Sequence, residues 1–384
     1  MRTYDVGIVG AGVHGAAAAF HLATRGIGVA IVERDGPAAG PTGRSSAICR
    51  AYYTNAFLAS VARDSIAMMS SFEEHTGRTA GFRRTGMLFL HPPEDADEVR
   101  VSVDRLNRLG IVTELLEPRT LGERFPSVDP GGIGIAAWER DAGHADPHAV
   151  TFGLFDRALE SGADARMGSA VTDIEADPAS GGTLVTGRGE RIPCERILLA
   201  AGPWTAPLAR LVGVELPLHA ERHVVATFRW GGVDQCPPHG DIAGGYYLRP
   251  EGTEQFLVGP LHEEPPVDPD QFDDAIRADE IERLAERVVR RFPGLHAALT
   301  SGGWASLYDV SPDWQPVIGE IAPGIFVDAG TSGHGFKVAP MLAKHIADLI
   351  VGKVVDPALE DFDPFRFERG RPLAAGYREN RILG

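Results

Sequence analysis

The chain is poor in cysteine. Its three residues, Cys49, Cys194 and Cys236, lie far apart and form neither a CxxC pair nor a zinc-ligand pattern. A disulfide-stapled fold is therefore excluded, and a reducing, cytoplasmic setting is expected. Long apolar runs are missing too. None reaches the roughly 18 residues that a membrane helix needs. No charged and apolar leader precedes the first strand, so no signal peptide is expected. Positive charge is scarce: 37 Lys and Arg stand against 53 Asp and Glu, a net charge of −16. The acids are spread out rather than in blocks, which fits solubility. Nucleic acid is not an expected partner, because phosphate binding wants a basic patch. His144, His148, His219 and His223 show no metal spacing with carboxylates, so no metal is expected.

What is present is an ordinary globular balance over 384 residues, 43% hydrophobic and 23% charged. That length buries a large core and suggests two or three domains. The chain opens with an apolar strand, Asp5 to Val9. A glycine turn, an alanine-rich helix over Ala16 to Arg25 and a second apolar strand, Val29 to Val32, follow. This is a βαβ unit on a buried parallel sheet. The periodicity predicts helices over Ala56 to Thr76, Val99 to Leu109, Val150 to Ser161, Asp279 to Phe292 and Lys337 to Gly352. Strands are expected at Gly86 to Leu90, Arg196 to Ala200, His219 to Trp230, Gly245 to Arg249, Gln255 to Gly259 and Ile325 to Asp328. The βα-type pieces are interleaved with antiparallel ones. That pattern reads as a nucleotide-binding domain in discontinuous pieces with a second sheet domain inserted twice.

Gly10-Ala11-Gly12-Val13-His14-Gly15 matches G-x-G-x-x-G between strand and helix. Gly10 permits the tight turn, Gly12 lets a pyrophosphate approach the backbone, and Gly15 lets helix pack on strand. The helix start offers N–H groups and a positive dipole end to phosphate. His14 sits at a variable position of this turn, and its side chain reads as structural. Glu33 ends the second strand, placed to accept from ribose hydroxyls. Its charge would repel a 2′-phosphate, which argues against NADP. The motif implies a dinucleotide and does not choose between FAD and NAD.

Four further segments accompany the first: Thr42-Gly43-Arg44-Ser45-Ser46-Ala47-Ile48-Cys49-Arg50 leading to Tyr52 or Tyr53; Ile197 to Trp204; Tyr308 through Ser311-Pro312-Asp313 to Gly319; and Gly330-Thr331-Ser332-Gly333-His334-Gly335-Phe336-Lys337. In this order the chain resembles the D-amino-acid oxidase/sarcosine oxidase superfamily of flavoproteins, closest to the sarcosine oxidase/dehydrogenase branch. The resemblance implies α/β plus α+β architecture. A Rossmann-like FAD-binding domain would comprise 1–82, 140–215 and 316–384. A substrate domain on an antiparallel sheet would comprise 83–139 and 216–315. It implies oxidation of a C–N bond in a small amino acid or N-alkylamino acid to an imine, by hydride transfer to flavin N5. The alternatives are a flavin-bearing subunit of a larger dehydrogenase, with an electron-acceptor protein or partner subunit, and an NAD-dependent dehydrogenase.

The resemblance also implies residue roles. Arg50 would grip a substrate carboxylate with its two-pronged guanidinium. Lys337 would be the second partner, at a helix start that also favours negative charge on a reduced flavin. Tyr247 would lie over the substrate, with Tyr246 facing away because neighbours on a strand alternate. His334 lies close to the flavin, with catalytic and backbone-satisfied roles both open. The expected cofactor wall is Gly10, Gly12, Val13, His14, Gly15, Glu33, Arg34, Arg44, Ser45, Ser46, Val171, Ala201, Gly202, Trp204, Gly333, His334, Gly335, Phe336 and Lys337. Monomeric sarcosine oxidases carry a flavin-linking cysteine where this chain has Ser306. Non-covalent FAD is therefore expected, with a histidyl link left open. A lysine that helps activate oxygen in those oxidases aligns with Leu257. A pocket histidine aligns with Leu261, one residue before His262. Loss of that cation makes a dehydrogenase as well supported as an oxidase.

Overall fold

A computed structural model describes residues 3–178, 181–232 and 236–374. The first sheet carries the parallel run Asp164–Arg166, Val29–Val32, Tyr4–Val9, Arg191–Leu199 and Ile325–Ala329, in that spatial order. Val317–Ala322 closes that edge antiparallel. A hairpin, Val171–Ala176 and Gly182–Thr186, pairs with the first half of Arg191–Leu199. The central strands are apolar on both faces because helices cover both. The first helix, Val13–Ala23, packs on Gly335–Ile350 and Pro147–Glu160. Its Ala16 to Ala19 are fully buried. Small side chains let those backbones approach, and Gly15 sets the limit: a Cβ there would stand 2.0 Å from Gly10 O.

The second sheet has nine described strands. Leu299–Val310 and His219–Arg229 form its long antiparallel edge pair. Gln255–Pro260, Tyr246–Glu251, His239–Asp241, Met87–His91, Ile135–Glu139 and Thr113–Leu116 continue across it, and the short Pro266–Val267 also pairs with His219–Arg229. The α/β plus α+β expectation therefore holds. Period-two alternation divides the faces. Val224, Ala226, Leu248, Phe256 and Val258 pack with Leu284 and Val288 of the helix Ala278–Arg291. His223, Val225 and Tyr247 turn to the opposite face, toward the first sheet. A small third sheet, Ile48–Cys49, Arg83–Arg84 and Gly143–His144, sits just before Arg50.

The helix expected over 56–76 is two helices, Ala56–Ser70 and Phe72–Thr76. Asn55 caps the first, accepting from Leu58 N at 3.0 Å. Ser70 and Ser71 bond back to the carbonyls of Ile66 and Ala67, and Ser71 leaves helical geometry at φ −116°. Hydroxyls that compete for carbonyls in this way weaken a helix there. No described helix is long and apolar enough to cross a membrane.

Candidate active site

A cavity of about 460 Å³ runs between the two sheets. That is in the range of small-molecule and cofactor sites. Its floor is the glycine turn. Gly10 has φ +107°, and a Cβ there would stand 2.5 Å from Ala200 O. Gly12, at the N-cap of Val13–Ala23, has no side chain to cap it, and Val13 N donates to Thr42 Oγ1 at 3.2 Å. At one end Glu33 is held by Ala11 N at 2.7 Å and Asp35 N at 2.8 Å, with its carboxylate on the cavity wall. Arg34 lies over the Trp204 ring at 4.3 Å, and both side chains bond Asp270. At the other end the uncapped helix Gly335–Ile350 begins, with Gly335 and Phe336 on the wall.

The residues present fit a dinucleotide-sized polar guest. Three buried ring or carboxylate atoms on this wall make no hydrogen bond among the described residues: His14 Nε2, Asp328 Oδ1 and His223 Nδ1. Buried polar atoms are rarely left so, and a polar ligand would satisfy them. Burial opposes protonation of His14, but Asp328, bonded to Nδ1 at 2.7 Å, and Asp309 outweigh it and raise its pKa.

Of the anticipated residues, Gly10, Gly12, Val13, His14, Glu33, Arg34, Arg44, Ser45, Ser46, Val171, Ala201, Gly202, Trp204, Tyr247, Gly333, Gly335 and Phe336 line the cavity. Arg44 spends its guanidinium on Ala305 O at 3.1 Å and Asp274 at 3.0 Å, tying its loop to the second sheet. Tyr246 turns to the helix-covered face and meets His239 at 3.1 Å. Gly15, Arg50, His334 and Lys337 are not on the wall. Gly15 lies under the turn. The other three form a buried cluster beside the cavity. Arg50 donates to Tyr52 O and, at 3.3 Å, to His334 Nδ1. Lys337 Nζ lies 3.5 Å from His334 O. The Tyr53 ring lies under both cations, 4.5 Å from the Arg50 guanidinium and 6.0 Å from the Lys337 ammonium. Burial, then Arg50, pushes the Lys337 pKa well below its ordinary value.

Several polar residues here escaped the sequence reading. Glu139 accepts from Ala51 N at 2.8 Å and Tyr52 N at 3.0 Å, fixing the chain just after Arg50. Burial pushes its carboxyl up to about 7, against the pull of those N–H groups and Arg50. Nothing local marks it, because the contact forms only when Ile135–Glu139 joins the sheet. Arg249 is opposite Leu257 and bonds Ser46 O at 2.6 Å. A cation therefore does stand beside the Leu257 position, engaged with His144 and Glu251. Its place two residues beyond Tyr247 was the available signal. Leu261 packs near Tyr308, and His262 pairs with Glu264 at 2.9 Å.

Comparison with known proteins shows the chain's family. The chain is 26% identical to rat (Rattus norvegicus) mitochondrial dimethylglycine dehydrogenase over 94% of its own length and 44% of that protein's. It thus spans under half of that relative. It is 25% identical to monomeric sarcosine oxidase of Streptomyces avermitilis, covering 95% of this chain and 98% of that one. Among solved structures, L-proline dehydrogenase from P. horikoshii superposes with a TM-score of 0.89 at 25% identity, covering 97% of this chain and all of that one. The model of the FAD dependent oxidoreductase family (DAO) matches residues 5–349. The chain therefore belongs to the FAD dependent oxidoreductase family.

Proposed function

We propose that the protein oxidises the C–N bond of a small amino acid or N-alkylamino acid, with non-covalent FAD in the cavity between the sheets. The observation that carries this reading is the pair of buried cations, Arg50 and Lys337, gathered by His334 and Tyr53 at the start of Gly335–Ile350. Two buried cations favour an anion brought beside them. A substrate carboxylate suits them, added to the buried Glu139 carboxyl that already acts on both. The names of the relatives, a dimethylglycine dehydrogenase and a sarcosine oxidase, support an N-methylated amino acid.

In this reading the cofactor half comprises 1–82, 140–215 and 316–384, and 83–139 with 216–315 forms the roof. The glycine turn would hold the pyrophosphate and Glu33 a ribose. Bound FAD supplies the two-electron acceptor for the C–H bond. The chain's own part is binding and orientation. Arg50 exchanges its contact with His334 for a two-pronged grip on the carboxylate. Lys337, held below its usual pKa while alone, gains charge beside the incoming anion. Tyr247 covers the substrate from the roof and keeps water out.

The test is a visible spectrum of the purified protein, then anaerobic titration with sarcosine, dimethylglycine, glycine and L-proline. A yellow protein bleached by one of these is expected. Readmitting air then separates oxidase from dehydrogenase by the rate at which colour returns. A protein that is colourless and takes up no FAD, or stays yellow with every amine, sinks the proposal.

A further inference from the structure

One polar chain crosses the roof, from the cavity wall to solvent. His223 lines the cavity, is 3% exposed, and stacks on Tyr308 with ring centres 3.9 Å apart. Its Nε2 meets Glu221 Oε2 at 3.0 Å. The other Glu221 oxygen meets His219 Nε2 at 2.9 Å. His219 has a side chain 37% exposed, so the chain ends in solvent. All three lie on the strand His219–Arg229 at alternate positions, so they share one face. Glu264 N also donates to Glu221 at 3.0 Å and holds the carboxylate in place.

The protonation pattern follows from donor and acceptor roles. An ionised carboxylate only accepts hydrogen bonds, so Nε2 of a neutral His223 carries the hydrogen. Nδ1 then presents a lone pair. That atom is buried and makes no hydrogen bond among the described residues. Amino acids reach the site as ammonium ions, and an ammonium nitrogen cannot support loss of the neighbouring C–H as hydride. One N–H proton must leave first.

We propose that His223, held by Glu221 and through it by His219, takes up the substrate's ammonium proton in the cavity. The inference rests on the amine-oxidation reading above. The ammonium N–H bond breaks and an Nδ1–H bond forms on His223. The imidazolium keeps its Nε2–H on Glu221 Oε2, and His219 Nε2–H holds the other oxygen, so the fixed carboxylate faces the new charge. One N–H bond breaks and one forms, the proton rests on His223, and the neutral amine keeps its lone pair for imine formation. The other titratable groups packed against His223 are Glu264, His262 and Tyr308. Burial lowers the His223 pKa while Glu221 raises it, with the net below the ordinary value. A resting neutral ring, ready to accept, is the result.

The experiment uses the holoprotein and whichever amine bleaches the wild-type flavin. Glu221→Gln and His223→Gln should stay yellow and bleach about 100-fold more slowly near neutral pH, the scale of a lost general base. Both should approach the wild-type rate at a pH where the free amine is already neutral. Imidazole added to His223→Ala should restore part of the neutral-pH rate. Wild-type rates at neutral pH in both Gln variants overturn this role for His223, as does equal slowing at every pH, which marks a structural role. The amine reading fails separately, by absence of bleaching in the wild type, and takes the proton donor with it. A readout without substrate is the NMR titration of the imidazole nitrogens. Glu221→Gln should move the titrations of both His219 and His223. Unmoved titrations overturn the connection.

Discussion

The floor and the roof of the cavity offer a guest different atoms. The floor, residues 10–15 and the two helix starts, works with backbone N–H groups and with the absence of side chains. The roof and the cluster beside it offer side chains from remote strands, a loop and a helix: Tyr247, His223, Arg50 and Lys337. A backbone cradle needs glycine at set positions along one continuous stretch, so its pattern is local. A side-chain pocket needs only that several strands and a helix meet, so its members are scattered along the chain. The floor should therefore fail by steric intrusion and take the cofactor with it. The roof should fail by lost chemistry with cofactor still in place.

The sharpest way to break that contrast is Gly15→Ala. The added Cβ meets Gly10 O at 2.0 Å, backbone that cannot swing aside. Loss of nearly all bound flavin is expected, with about 1–3 kcal/mol of destabilisation from overpacking. The flavin-to-protein absorbance ratio and the melting temperature check it. Full flavin occupancy would show that the turn is not the rigid element described.

Arg50→Ala comes next. It should keep its flavin and lose about 100-fold in kcat/KM for a carboxylate-bearing amine, about 3 kcal/mol, the scale for truncating a buried charge partner. Arg50→Lys should not restore it, because one ammonium cannot make the planar two-pronged contact. Steady-state kinetics on a carboxylate substrate and on the amine lacking the carboxylate measure the difference. Equal losses on both would remove Arg50 from carboxylate binding.

The smallest effect is expected at Glu139, which supports the roof side without touching the cavity. Its carboxyl is raised to about 7 by burial. The unfolded chain ionises it near the usual carboxylate pKa. Between those two values the folded state holds more protons than the unfolded one, so stability falls as pH rises. Glu139→Gln loses an acceptor for Ala51 N or Tyr52 N and is less stable throughout. The gap between wild type and variant should narrow from about pH 5 to about pH 7, as melting temperatures across that range would show. A gap constant with pH would mean that Glu139 is ionised in the native state over this range.

Much of the architecture was legible because it is periodic. The βαβ opening, the strands around Ile197 and Ile325 and the helices Ala278–Arg291 and Gly335–Ile350 follow from apolar spacing alone. The strand Leu299–Val310 was not legible, because Gly302 and Gly303 interrupt it and only its long pairing with His219–Arg229 defines it. Alternation on the roof strand separated Tyr247 from Tyr246, and the same alternation carried to Arg249 would have exposed a second buried cation.

The sequence by itself determined the dinucleotide turn, because glycine at residues 10, 12 and 15 answers steric demands within one short stretch. The grouping of Arg50, His334 and Lys337, the support from Glu139 and the line from His223 to His219 were decided by tertiary structure. Arg50 and Lys337 lie 287 positions apart in the chain, Lys337 being residue 337 and Arg50 residue 50. Only the packing of a helix start against a small three-stranded sheet brings them to one point, and no periodicity along the chain encodes that meeting.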